Sequence, residues 1–141
     1  MVEGALKANA LRGKTIVVTG GGTGLGKAMS TYFSELGANL VITSRKIDVL
    51  TQTAQEIEQK TGNPVYVVAC DVRDIEQVQE LLRKSEERFG SVELLVNNAA
   101  GNFISPTERL SPNAFSTVID IVLKPTVNST LTFGKNWIAK Q

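Results

Sequence analysis

The chain has 141 residues, with 15 Lys and Arg against 14 Asp and Glu, 42% hydrophobic residues, 12 Gly, one Cys and no His. A chain of about this length buries roughly 70% of its unfolded surface, so one globular domain needs neither a metal nor a disulfide to stand. Cys70 alone and the lack of His exclude an intramolecular disulfide, a His-ligated metal, a Ser-His dyad and a Cys-His nucleophile, while the net charge of +1 turns attention from nucleic acid and anionic membranes to a small molecule.

Met1 to Lys14 holds no apolar stretch of signal-peptide length, and no segment approaches about 20 consecutive apolar residues, so a soluble cytoplasmic protein is expected. Thr15 to Thr19 is an apolar run without alternation, as in a strand covered on both faces. Leu25, Ala28, Met29, Tyr32, Phe33 and Leu36 recur at steps of three and four and stop at Gly37, which predicts a helix laying that face on a sheet.

A second strand is expected over Leu40 to Thr43, and a second helix on Val49, Leu50, Thr53, Ala54 and Ile57. A third strand follows over Val65 to Ala69, then a helix through Ile75, Val78, Leu81, Leu82, Ser85 and Phe89 that stops at Gly90, then a strand over Val92 to Val96. The alternation predicts an α/β fold with a parallel sheet under crossover helices.

Ser111 reads as an N-cap and Pro112 as the first-turn proline of a fourth helix, with Phe115, Val118, Ile119 and Val122 on one face. Pro125 interrupts the pattern, predicting a kink or break near Leu123, after which Val127, Leu131, Gly134 and Ile138 resume helical spacing. These last residues lack a visible partner, so self-association is expected. A crossover helix should feed another strand, and with Gln141 as the last residue the sequence reads as one domain truncated after its fourth strand and the following helices.

Chemistry concentrates at the ends of the strands. Thr19-Gly20-Gly21-Gly22-Thr23-Gly24-Leu25-Gly26 joins the first strand to the first helix, where backbone N–H groups and the helix dipole hold phosphate. The spacing departs from G-x-G-x-x-G but meets the same need for a tight turn and close backbone approach; a glycine-rich turn without a ligand is the weaker alternative. An NAD site places an acid about 20 residues later, yet the second strand runs into Ser44-Arg45-Lys46, which favours a 2′-phosphate and NADP(H). Arg45 also fits a solvated position at the start of a helix, and Lys46 a surface one. Asp71 can accept from an adenine amino group or act as an ordinary cap or turn residue. Asn97 to Asn102 lies at the carboxyl end of the fourth strand, where small residues leave room for a cofactor, although such a run also forms plain turns.

Thr-Gly-x-x-x-Gly-x-Gly after the first strand and Asn-Asn-Ala-x-Gly after the fourth resemble the short-chain dehydrogenases/reductases. Thr43 to Lys46, Cys70 to Arg73 and the run from Asn97 to Pro112 look like the 2,4-dienoyl-CoA reductase branch, across almost the whole chain. The resemblance implies a Rossmann-like, doubly wound parallel sheet in three αβα layers, with residues 1–141 forming the NADP-binding N-terminal part of a single-domain reductase. It implies NADPH-dependent reduction of 2,4-dienoyl-CoA to 3-enoyl-CoA in the β-oxidation of unsaturated fatty acids, by an oligomer that is a tetramer in the full-length family.

Carried over residue by residue, the cofactor contacts would be Gly20, Gly21, Gly22, Thr23, Gly24, Leu25, Gly26, Ser44, Arg45, Asp71, Val72, Asn98 and Ala99. Acyl-CoA would meet Arg45, Arg73, Phe103 and Ser111. Asn102 would position the thioester oxygen and stabilise the dienolate, a catalytic role. The family's catalytic Tyr and its neighbouring Lys lie beyond a fifth strand, and Tyr32 and Tyr66 fit no such motif, so these residues alone should not turn over. Lys124-Pro125-Thr126 departs from the family, which usually carries Gly before the Thr, whereas the apolar Val122 fits the narrower branch. Trans-2-enoyl-CoA reductase, 3-oxoacyl reductase and a non-catalytic dinucleotide-binding module are the competing readings.

Overall fold

A computed structural model describes residues 6–101 and 106–141. The strands are β1 (Thr15–Thr19), β2 (Asn39–Ser44), β3 (Val65–Ala69) and β4 (Leu94–Val96). Helices α1 (Gly24–Glu35), α2 (Ile47–Thr61), α3 (Ile75–Phe89) and α4 (Pro112–Ala139) follow them, with a short 3-10 turn at Thr107–Arg109 before α4. The sheet is parallel in the order β3-β2-β1-β4, so the chain moves to opposite sides of β1 and leaves a crevice at its carboxyl end.

The unalternated apolar runs now have their cause. Ile16, Val18, Leu40 and Ile42 pack on Leu50, Ala54 and Ile57 of α2. Val17, Val41 and Val68, pointing the other way, pack on Val78, Leu81 and Leu82 of α3 and Phe133 of α4. Each such side chain contributes roughly 1.5–3 kcal/mol by leaving water, and helices on both faces give the three-layer αβα arrangement.

Strand β4 is shorter than the expected Val92 to Val96. Just before it, the Glu93 carboxylate accepts from the Thr15 N–H at 2.7 Å, a side chain taking what a ladder carbonyl would otherwise receive. Val92 remains buried in the second core.

Two helix faces differ from expectation. On α1 the buried residues are Gly26, Ser30 and Ser34, while Leu25 is 77% exposed and Ala28 is exposed. Met29, Tyr32 and Phe33 are half-buried, and Leu36 is buried. Small residues win the sheet-facing side because the start of this helix lies almost on the β1 loop: a Cβ on Gly26 would sit 2.1 Å from the Gly20 carbonyl oxygen.

Helix α4 neither breaks near Leu123 nor divides in two, since one helical run passes through Pro125. An interior proline costs about 3 kcal/mol in a bare helix, but here its ring is buried and the helix beyond it is held by the inward packing of Ser129 and Phe133. The inward stripe is Pro125, Ser129 and Phe133, with half-buried Trp137 continuing it. Phe115, Ile119, Val122, Leu123, Val127, Leu131 and Ile138 are exposed. No helix among the described residues is long and apolar enough to cross a membrane.

Candidate functional site

The crevice at the carboxyl ends of the strands is a cleft of about 510 Å³. Its first wall is the loop from β1 to α1. Gly20 leaves β1 at φ +66°, and its N–H donates to the Thr43 carbonyl at 2.7 Å, extending the β1–β2 ladder by one step. A Cβ there would lie 2.9 Å from Asn98 Nδ2 and 3.1 Å from the Ala99 backbone, so glycine is required on both dihedral and steric grounds.

Cross-links make this loop rigid. Asn98 Nδ2 donates to the Thr19 and Gly20 carbonyls at 3.0 and 3.2 Å, and Thr19 Oγ1 accepts from the N–H groups of Asn98 and Ala99. Thr53 Oγ1 donates to the Gly22 carbonyl at 2.7 Å. Thr23, the N-cap of α1, makes no side-chain capping bond, and the first turn carries no acid. The positive end of α1 is thus left for an external anion.

The second wall is the end of β2. Ser44, Arg45 and Lys46 line the cleft; both basic residues are exposed, and neither enters an ion pair among the described residues. Ser44 Oγ accepts from the Lys46 N–H at 3.3 Å.

The third wall is the β3–α3 loop. Arg73 Nε donates to both carboxylate oxygens of Asp71, at 2.9 and 3.1 Å, and the Arg73 N–H donates to the same carboxylate. The Arg73 guanidinium is the main force holding the Asp71 carboxyl down at about 2, and the nearby Arg45 charge adds to it. Asp71 is not the helix cap: Asp74 is, accepting from the Glu76 and Gln77 N–H groups. Beside them Cys70 is buried, and loss of water pushes its thiol up to about 11, so it is a neutral filler rather than a nucleophile.

Of the residues singled out from the sequence, Gly20, Gly22, Thr23, Leu25, Gly26, Ser44, Arg45, Asp71, Val72, Arg73, Asn98 and Ala99 line this one cleft. Gly21 and Gly24 do not: an added Cβ on Gly21 would press 2.7 Å from Ile42 in the core, while Gly24, at φ +53°, faces open space. Ser111 is away from the wall, with its hydroxyl capping α4 by accepting from the Ala114 N–H. Asn102 and Phe103 lie outside the described residues. Thr43, Lys46, Val49, Cys70, Ala100 and Ile121 complete the lining. Thr43, Lys46, Cys70 and Ala100 adjoin assigned residues and are findable from chain proximity; Val49 comes from the first turn of α2 and Ile121 from α4, and nothing in the local pattern marks either as lining the cleft.

A βαβ start, a glycine-built turn, an uncapped helix end and a basic group after β2 define a nucleotide-binding α/β domain. The short chain dehydrogenase family matches residues 14–141, and the chain belongs to that family. It is 50% identical over 134 residues to a Caenorhabditis elegans protein named probable 2,4-dienoyl-CoA reductase 3, (3E)-enoyl-CoA-producing, covering 94% of this chain and 43% of that one. A solved short chain dehydrogenase from Bacillus anthracis is 43% identical with a TM-score of 0.84, over 91% of this chain and 53% of that one. An alcohol dehydrogenase from Thermococcus sibiricus, solved with 5-hydroxy-NADP, is 31% identical with a TM-score of 0.80, over 86% and 52%. The chain therefore spans only about half the length of these relatives.

Proposed function

We propose that residues 1–141 are the NADP(H)-binding Rossmann part of a single-domain reductase that converts 2,4-dienoyl-CoA to 3-enoyl-CoA in the oxidation of unsaturated fatty acids. The observation that carries the cofactor assignment is the end of β2. Ser44, Arg45 and Lys46 face the cleft where an NAD site sets a carboxylate, and a carboxylate would repel the 2′-phosphate that a guanidinium holds by paired hydrogen bonds.

The remaining walls fit the rest of the dinucleotide. The uncapped α1 N-terminus takes the pyrophosphate, and the ionised Asp71 accepts from the adenine amino group. Asn98 serves from behind, because its amide is already engaged by the Thr19 and Gly20 carbonyls and ties the loop to the end of β4. When bound, the nicotinamide supplies a hydride.

The substrate class rests on the name of the C. elegans relative and on the Asn97 to Pro112 run. Asn102 positions the thioester oxygen and stabilises the negative charge that develops there. Arg73, Phe103 and Ser111, together with Arg45, contact the acyl-CoA. The exposed apolar stripe of α4 supports a homo-oligomer, with the family tetramer as its full form.

The chain's two tyrosines, Tyr32 on α1 and Tyr66 on β3, do not line the cleft. The acid/base pair is therefore assigned outside these residues, which bind cofactor without turnover. That same observation favours a second reading, a non-catalytic dinucleotide-binding module. A spaced Tyr and Lys encoded beyond Gln141 in the source gene would exclude it.

Titration of the chain with NADPH and with NADH, followed by nicotinamide fluorescence and thermal stability, tests the assignment. NADPH should bind at least about tenfold tighter, the equivalent of one strong charge-assisted contact, and Arg45→Ala should erase the preference. Equal affinities in the wild type, or a preference that survives Arg45→Ala, would refute it.

A further inference from the structure

Asn128 is a poor helix former inside a long helix, and it is half-buried on the side of α4 nearest the cleft's third wall. Its Nδ2 donates to two successive backbone carbonyls of the β3–α3 loop, Val72 at 3.3 Å and Arg73 at 3.1 Å. The same loop is fixed on its other side, where Gln77 Oε1 accepts from the Asp71 N–H at 2.9 Å and Gln77 Nε2 donates to Asp74 at 2.9 Å. Its carboxylate, Asp71, is in turn held by the Arg73 side chain and N–H.

Helix α4 is a firm anchor for such a clamp. Phe133 is fully buried, Trp137 Nε1 donates to the Val92 carbonyl at 2.6 Å, and Asn136 Nδ2 donates to Glu86 of α3 at 2.7 Å. The short loop of residues 70–74 between β3 and α3 thus takes its position from both its own helix and a helix from another part of the chain.

We propose that Asn128 is a positioning residue for the adenine end of the cleft: by holding the Val72 and Arg73 carbonyls it sets the Asp71 carboxylate where it reads the adenine 6-amino group. The inference rests on the cleft's being a dinucleotide site and deepens that reading. Asn128 does not touch the cofactor; it acts through the loop. Its effect is therefore confined to base recognition and leaves the 2′-phosphate contact alone.

The discriminating probe is NADPH against its hypoxanthine analogue, in which a carbonyl replaces the 6-amino donor and faces the carboxylate unfavourably. Affinities of the 141-residue chain are read by nicotinamide fluorescence. The wild type should prefer the adenine form by about tenfold, the scale of one charged hydrogen bond. Asp71→Ala should bring the ratio near one. Asn128→Ala and Asn128→Asp should bring it to about threefold or less, the second because a carboxylate cannot donate to the two carbonyls. Asn136→Ala is the control, since it removes another hydrogen bond of α4 at the far end from the cleft and should leave the ratio at the wild-type value.

A wild type that binds neither compound overturns the dinucleotide reading and this inference with it. Binding with an unchanged ratio in Asp71→Ala overturns the assignment of Asp71, and with it the role of Asn128, while the cofactor site stands. A ratio that falls in Asp71→Ala but holds in both Asn128 variants overturns Asn128 alone, as does an equal fall in Asn136→Ala, which would mark a general loosening of α4.

Discussion

The β1–α1 and β3–α3 loops both feed the cleft from a strand end into a helix, yet they are built in opposite ways. The first is made of backbone: glycines pressed against Asn98 and Ala99, cross-linked through carbonyls, ending in a helix whose N-terminus has no side-chain cap. The second is made of side chains: Asp74 caps α3, Gln77 holds Asp71, and Arg73 occupies the Asp71 carboxylate. A helix end satisfied by its own chain has little left for an anion, whereas an unsatisfied one is a binding site. The loop with no charged side chains is thus the one suited to phosphate, and the loop rich in them is suited to recognising a base.

The contrast predicts steric failure in one loop and mild electrostatic change in the other. Gly26→Ala should be the most damaging single methyl in the chain. Its Cβ would lie 2.1 Å from the Gly20 carbonyl oxygen and 2.6 Å from Asn98 Nδ2, so α1 must move off the loop. Overpacking against backbone costs typically 1–3 kcal/mol and occasionally more; here about 3 kcal/mol in urea unfolding is expected, with loss of dinucleotide binding. Stability within about 0.5 kcal/mol of wild type would mean that the loop is not the rigid element described.

Gly24→Ala separates the two reasons for glycine within the same loop. Nothing lies within 4 Å of its added Cβ, but its φ of +53° is left-handed. The cost is then purely conformational, about 1 kcal/mol, clearly below that of Gly26→Ala in the same denaturation series.

The backbone-built loop was the more legible of the two. Glycine spacing after an apolar run announces a turn and a close approach directly, and the strand and helix bounds around it followed from apolar runs and from Gly37 and Gly90 as stops. The inward faces of α1 and α4 were not legible, because Gly26, Ser30 and Ser34, and Pro125 and Ser129, are small or polar and give no hydrophobic period. Larger apolar residues nearby, such as Leu25 and Val127, supplied a false one while remaining exposed. Asp71 and Arg73 were each visible as charges, but their mutual pairing and their tie to Asn128, 55 residues away from Arg73, exist only in the folded chain.

The side-chain-built loop should respond to pH, weakly and in one direction. Asp71 is held down at about 2 chiefly by the Arg73 hydrogen bond, below the ordinary 3.8, so the unfolded chain takes up this proton first as acid is added. The stabilisation is complete above the ordinary value and is lost as pH falls through it toward about 2. Arg73→Ala removes the first cause of the depression. The Tm difference between wild type and Arg73→Ala should therefore be constant above about pH 5 and close as pH falls toward 2. It should be small at every pH and shrink in salt, because Arg73 and Asp71 are 47% and 24% exposed. Above about pH 5 Asp71 stays ionised, so discrimination for adenine over hypoxanthine should be flat to about pH 7.5, short of the range where the hypoxanthine ring itself loses a proton. A slope in that range would assign the base recognition to some group other than Asp71.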